Sequence, residues 1–207
     1  MLELVRLVKK GAEASVYFAS WFGEPAIAKV RFPKAYRHEK LDRRIRVSRT
    51  SSEAKFIREA REAGVPTPLI YFVDLKNTAI VMQYVDGPRL KDVLSPDTVG
   101  LCREVGRLLA KLHAHGIVHN DPTTSNFILH KGRLVMVDFG LSIHSERLED
   151  RAVDLHLLKE ALAGGHSDIA PKAFSEALSG YSEVLGEEAK ASVVRRVADI
   201  ERRGRYA

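Results

Sequence analysis

Apolar and polar residues alternate from Leu2 to Val8, break at Gly11, and alternate again among β-forming residues from Ser15 to Ser20, which predicts two strands. A turn at Trp21-Phe22-Gly23-Glu24-Pro25 leads to a third, Ala26-Ile27-Ala28-Lys29-Val30. Thr50-Ser51-Ser52-Glu53 has the form of a capping box and predicts a helix from there to about Ala63, stopped by Gly64 and Val65-Pro66-Thr67-Pro68. Apolar runs at Leu69 to Leu75 and Ala79 to Tyr84 flank Lys76-Asn77-Thr78 as a hairpin. Residues 1–84 therefore read as a domain with a five-stranded sheet and one main helix. The turn cluster Val85-Asp86-Gly87-Pro88 opens a second domain over residues 85–207.

In that second part, Ser95 and Pro96 supply an N-cap and a first-turn proline for a long helix. Its stripe is Leu101, Val105, Leu108, Leu109 and Leu112, and Gly116 closes it. Phe127 to His130 and Leu134 to Asp138 are short strands around Lys131-Gly132. From Arg147 onward the pattern is helical, interrupted at Gly164-Gly165 and Gly186. A sheet-rich part followed by a helix-rich part predicts an α+β fold.

Composition narrows the picture. The chain has 207 residues and a single cysteine, Cys102, which excludes an internal disulfide and a cysteine-rich zinc site. It has no apolar run of membrane-spanning length and no signal-peptide pattern at its N-terminus, so no membrane association and a cytoplasmic location are expected. The net charge of +6 is unevenly spread. Residues 31–49 hold Arg31, Lys34, Arg37, Lys40, Arg43, Arg44, Arg46 and Arg49 against Glu39 and Asp42. Residues 195–207 hold Arg195, Arg196, Arg202, Arg203 and Arg205 against Asp199 and Glu201. These two stretches carry the whole cationic excess and suggest a surface that faces a polyanion such as RNA.

Four features carry candidate chemistry. Lys29 lies in an apolar strand, where its charge needs an anionic partner. Glu53 is a carboxylate on the following helix. His119-Asn120-Asp121-Pro122-Thr123-Thr124-Ser125-Asn126 and Val137-Asp138-Phe139-Gly140 complete the set. Singly, each has a plainer reading: Lys29 as a snorkelling lysine and Glu53 as the capping-box acid. Together, in this order and on these elements, they resemble the protein-kinase signature of strand lysine, helix glutamate, H-x-D-x-x-x-x-N and D-F-G.

That resemblance implies a two-lobed, kinase-like fold using ATP and Mg²⁺. Lys29 would hold the α- and β-phosphates, with Glu53 fixing its ammonium, and Asn126 and Asp138 would be metal ligands. Asp121 would take or orient the proton of the attacking hydroxyl or water. Gly11, Ala12, Glu13, Ala14, Ser15 and Val16 occupy the place of the phosphate-covering loop, with one of its usual three glycines. Met82, Gln83 and Val85 fall where adenine would be recognised, and His119 reads as a structural residue of the catalytic loop.

Departures from ordinary kinases are informative. Asn120 replaces the usual arginine, Thr123 replaces the usual lysine, and no A-P-E follows D-F-G. About six residues, some 20 Å fully extended, separate Gly140 from the next helical pattern, too few for a full activation segment. The C-terminal lobe is minimal as well. With KKGAEASVY, SEAKFIREAREAGVPTP, HNDPTTSN, VDFGLS, EDRAVDLHLLKEAL and ERRGRYA, these features are similar to the small atypical kinase/ATPase subunit of the KEOPS (EKC) complex, in a minimal archaeal form. Asn120 and Pro122 depart from that family's usual loop.

The family resemblance implies an ATP-dependent protein kinase or ATPase that supports threonylcarbamoyl-adenosine formation on tRNA. Its partners would be a threonylcarbamoyl-transferase subunit, other KEOPS subunits, and tRNA through residues 31–49 and 195–207. Two alternatives stand beside it. Another compact phosphotransferase would need an acidic recognition insert or more C-terminal helices. A catalytically dead RNA-binding scaffold would have no need for Lys29, Asp121, Asn126 and Asp138 together.

Overall fold

In the computed structural model, which describes residues 1–204, the N-terminal alternation folds into strands β1 (Leu2–Lys10), β2 (Ser15–Trp21) and β3 (Glu24–Val30). With β4 (Ile70–Asp74) and β5 (Ala79–Gln83) they form an antiparallel sheet ordered β1-β2-β3-β5-β4. Central β3 places Lys29 opposite Val16 on one side and Ile80 on the other. Ala26, Ala28, Ile80 and Val81 are fully buried, so the strand that carries Lys29 is held by apolar packing along its length.

The main helix, α1, spans Glu39–Glu62, and this corrects the capping-box reading. Glu39 and Asp42 suit its positive N-terminal end, and Asp42 pairs with Arg46 one turn on at 2.6 Å. The Thr50 hydroxyl donates back to the Arg46 carbonyl at 2.8 Å, the bond of a helix interior rather than of a cap. The basic stretch is therefore mostly helix. Its stop is as expected: Gly64 takes φ +77°, its N–H donates to the Arg61 carbonyl, and Val65 N–H donates to the Ala60 carbonyl. These are the two bonds of a glycine-terminated helix end.

The chain divides into two units, one of residues 1–59 and 67–85, the other of residues 60–66 and 86–204. The second contains α2 (Leu90–Val93), α3 (Leu101–Ala114), β6 (Ile117–Val118), a single 3₁₀ turn (Thr124–Asn126), β7 (Phe127–His130) and β8 (Arg133–Met136). It continues with β9 (Ile143–His144), α4 (Leu148–Gly165), α5 (Ala170–Leu185) and α6 (Glu187–Gly204). Ser95 does not cap α3. Its N–H and carbonyl bond Thr98 in a turn, and the helix starts after Gly100. The stripe residues Val105, Leu108, Leu109 and Leu112 are fully buried, as is Cys102, whose thiol burial pushes up to about 12.

α3 and α5 meet backbone to backbone. A Cβ on Gly106 would sit 1.8 Å from the Ala177 carbonyl oxygen, and one on Gly180 would sit 1.8 Å from that of Arg103. Only two glycines permit this approach, and it brings α5 side chains within hydrogen-bonding reach of α3. Between Gly140 and α4 the chain is short and tied down. β9 pairs with β6, Ser145 N–H donates to the Gly116 carbonyl, and the Ser145 hydroxyl bonds Asp150 at 2.6 Å. Among the described residues, no helix is long and apolar enough to cross a membrane.

Candidate functional site

In the first unit, Lys29 Nζ donates to one oxygen of Glu53 at 2.6 Å, and Arg31 donates to the other at 2.5 Å. All three are almost wholly buried. The position of Glu53 well inside α1, nearly four turns past its start, removes its reading as a capping acid. Arg31 was expected on a polyanion-facing surface and instead sits in the core beside Lys29. Arg31 directly follows β3, two residues after Lys29, and extended backbone puts i and i+2 on one face; that spacing was the available signal.

Two further first-unit segments were expected to serve a nucleotide. Met82 and Val85 are buried and Gln83 is half-buried. Gln83 N–H donates to the Leu69 carbonyl at 2.8 Å and its side-chain oxygen accepts from Leu69 N–H, so its own N–H is committed. The Gly11–Val16 loop is closed by Gly11 N–H on the Ala14 carbonyl, with Ala12 exposed and Ser15 buried. Glu13 anchors it, with Arg37 at 3.0 Å and Arg49 at 2.7 Å. The Arg37 hydrogen bond, aided by the Arg49 charge, holds the Glu13 carboxyl below the usual carboxylate range.

In the second unit, Asn126 Nδ2 donates both to the Asp121 carbonyl at 2.8 Å and to its carboxylate at 2.9 Å. Val137 N–H donates to the Asn126 carbonyl, which lays the strand end carrying Asp138 beside the loop. Asp138 takes φ +68° and Asn120 φ +62°, two left-handed residues flanking the loop. Asn120 tolerates this conformation well and uses its side chain, donating from Nδ2 to the Leu141 carbonyl at 3.1 Å. Its departure from the family pattern thus ties the loop to the segment after Asp138.

His119 is fully buried, edge-on to Phe139, and its Nδ1 accepts the Asp121 N–H at 3.3 Å. Burial holds its pKa below the ordinary histidine value. The unfolded chain then takes up a proton that the folded ring resists, so stability contributed by neutral His119 is complete above about pH 6.5 and is lost as pH falls below it. Urea midpoints measured from pH 7.5 to 5 are expected to fall more steeply for wild type than for His119→Phe. Parallel curves would remove His119 as the cause.

Asp154 is the residue that sequence reading missed. Its carboxylate, fully buried on α4, accepts His119 N–H at 2.8 Å and Asn120 N–H at 2.6 Å. It fixes the backbone two residues before Asp121. An acid in register with the buried Leu158 and Leu162 at four-residue steps was the sequence signal.

The basic stretches divide. Arg31, Arg37, Arg46 and Arg49 are spent on Glu53, Glu13 and Asp42. Lys40, Arg43 and Arg44 are exposed on α1 and form no ion pair among the described residues. Near the C-terminus Arg196 and Arg203 pair with Glu149 and Arg202 with Asp199, while Arg205 lies outside the described residues. Among the described residues no three His, Cys, Asp or Glu side chains group as a metal site. The oxygen donors Asn126 and Asp138 fit an ion that completes its shell with phosphate and water, as Mg²⁺ does.

The RIO domain family matches residues 26–155. The KEOPS complex subunit Bud32 of Pyrococcus abyssi is 42% identical over 212 residues, 98% of this chain and 96% of that protein. A probable bifunctional tRNA threonylcarbamoyladenosine biosynthesis protein of Methanobrevibacter smithii is 42% identical across 97% of this chain, which spans 36% of that longer protein. Among solved structures, the crystal structure of the Rio2 kinase-ADP/Mg²⁺-phosphoaspartate complex from Chaetomium thermophilum matches with a TM-score of 0.63 at 16% identity. It covers 99% of this chain and 72% of its own, a likeness of fold. The chain belongs to the RIO-domain family of atypical kinases, in the group of the KEOPS complex subunit Bud32.

Proposed function

We propose that this chain binds ATP with Mg²⁺ and passes the γ-phosphoryl group to a hydroxyl or to water, in support of threonylcarbamoyl-adenosine formation on tRNA. The observation that carries the reading is the Asn126 amide bonded to both the backbone and the carboxylate of Asp121. It spends the nitrogen of Asn126 on positioning the base and leaves its oxygen as a hard metal donor. Asn126 and Asp138 hold the Mg²⁺, which neutralises phosphate charge and aligns the polyphosphate when bound. Lys29, oriented by Glu53, binds the α- and β-phosphates. Asp121 accepts the proton of the attacking group.

Met82, Gln83 and Val85 contact the base, with Gln83 acting through its carbonyl because its N–H is taken. Residues Gly11 to Val16 cover the phosphates from a loop tethered by Glu13. The test is ATP turnover by the purified chain, with Mg²⁺ and with EDTA, alone and with a threonylcarbamoyl-transferase subunit and tRNA. Turnover is expected only with Mg²⁺, and turnover indifferent to EDTA would sink the reading.

The same reading places the chain in the cytoplasm, within a KEOPS assembly. Lys40, Arg43 and Arg44 contact tRNA phosphates, supplemented by the C-terminal arginines. Arg43→Ala with Arg44→Ala is expected to weaken tRNA binding by the assembled complex and to reduce the slope of log affinity against log salt by about 2. An unchanged slope in filter-binding titrations would return this face of α1 to simple solvation.

A further inference from the structure

Behind the catalytic loop runs a hydrogen-bonded chain that the function so far does not use. Tyr181 Oη on α5 lies 2.9 Å from His113 Nδ1 on α3, and His113 Nε2 lies 3.0 Å from Asp154 Oδ2 on α4. Asp154 in turn receives the N–H groups of His119 and Asn120. Tyr181 is 1% exposed, and His113 and Asp154 are at 0%. Three helices thus converge through buried polar atoms on two peptide groups of one loop. Buried polar groups in so dry a place are tolerated only when their bonds are complete.

The protons can be assigned. An aspartate carboxylate that already accepts two peptide N–H groups takes a third donor from His113, so Nε2 carries the hydrogen. In a neutral ring Nδ1 is then the acceptor and the Tyr181 hydroxyl the donor. Burial pushes the Tyr181 phenol well above its ordinary range, which keeps that hydroxyl protonated. The approach of α5 to α3 at Gly106 and Gly180 is what lets Tyr181, the residue after Gly180, reach His113.

We infer that Tyr181 and His113 are positioning residues: acting through Asp154, they fix the peptide groups of His119 and Asn120 and thereby the placement of Asp121. Tyr181 sets the ring of His113, His113 sets the carboxylate of Asp154, and Asp154 sets the loop. The consequence for chemistry rests on the phosphoryl-transfer reading above, while the mechanical consequence does not.

Tyr181→Phe removes one oxygen and keeps the ring, so the fold should survive, as a thermal melt will show. In the full chain, amide hydrogen exchange at His119 and Asn120 is expected to quicken about fivefold or more, in line with the loss of one buried hydrogen bond. For Mg²⁺-ATP turnover, kcat is expected to fall by a similar factor with KM for ATP unchanged. A merely structural hydroxyl would not separate kcat from KM. His113→Phe removes both ring nitrogens and with them the link from Tyr181 to Asp154, so adding Tyr181→Phe to it should change nothing further. Ser182→Ala, the neighbour on α5, is the control.

Unaltered exchange at His119 and Asn120 in Tyr181→Phe would overturn the inference, as would additive effects in the double variant. Faster exchange with unaltered kcat would overturn its catalytic part. Absence of turnover in the wild type would instead sink the phosphoryl-transfer reading, and exchange would still decide whether the chain of bonds governs the loop.

Discussion

Asp138→Asn is expected to lower Mg²⁺-dependent ATP turnover by at least ~100-fold while the unfolding midpoint stays near wild type. The reasoning separates backbone from charge. Asp138 sits at φ +68°, a conformation that costs most side chains energy but that asparagine adopts readily. Asparagine also keeps an oxygen where Asp138 Oδ1 accepts Gly140 N–H. What it removes is the negative charge that a divalent cation needs, and with it the electrostatic clamping on which phosphoryl transfer depends. Asp121→Asn is expected to lose about 10²- to 10⁴-fold in kcat by removing the proton acceptor, with nucleotide affinity retained.

The two variants should therefore part company in a binding assay. Asp138→Asn loses Mg²⁺-dependent nucleotide affinity in calorimetric titration, and Asp121→Asn does not. Turnover within twofold of wild type for Asp138→Asn would remove Asp138 as the metal ligand. Equal loss of affinity in both would mean that Asp121 also shapes the nucleotide complex and is not the dedicated base.

How much of this was legible depended on whether the cause was local. The first two strands follow from alternation and the next three from short apolar runs bounded by turns, and Gly64, Gly164-Gly165 and Gly186 mark where helices end. The family motifs made the candidate residues readable because their spacing along the chain is the signal. Errors arose where one residue type serves two local roles. Thr50 suits a cap in sequence, yet it sits inside α1 because Arg46 and Asp42 upstream already support the helix. Ser95 likewise suits a cap, but it closes a turn with Thr98. Charge gave the same ambiguity. Eight cations in residues 31–49 looked like one surface, whereas four are consumed by Glu13, Asp42 and Glu53. Partners such as Glu53 with Arg31, 22 residues apart, or His113 with Asp154, 41 apart, are set by tertiary packing and leave only faint periodic traces.

The residue where site and fold are hardest to separate is Glu53, and its removal is expected to be the most destabilising single change in the first unit. One buried carboxylate serves two buried cations, at 2.6 Å from Lys29 and 2.5 Å from Arg31. Such a set contributes little net stability as a whole, because desolvating three charges offsets most of their attraction. Breaking it is another matter. Arg31 is 3% exposed, and Glu53→Ala leaves it, among the described residues, the Thr50 hydroxyl at a long 3.5 Å as its side-chain bond. A buried charge stripped of its carboxylate costs about 3–5 kcal/mol. Trp21, the chain's single tryptophan, stacks on Phe72 in the same unit, so its fluorescence reports the unfolding that matters. Urea titration should show a lower midpoint with an unchanged slope. Pairing Glu53→Ala with Arg31→Met should recover part of the loss, since it takes out one of the two cations that the acid served. If the double variant is no more stable than Glu53→Ala alone, the penalty does not come from stranding Arg31, and Arg31 has no part in holding α1 to the sheet.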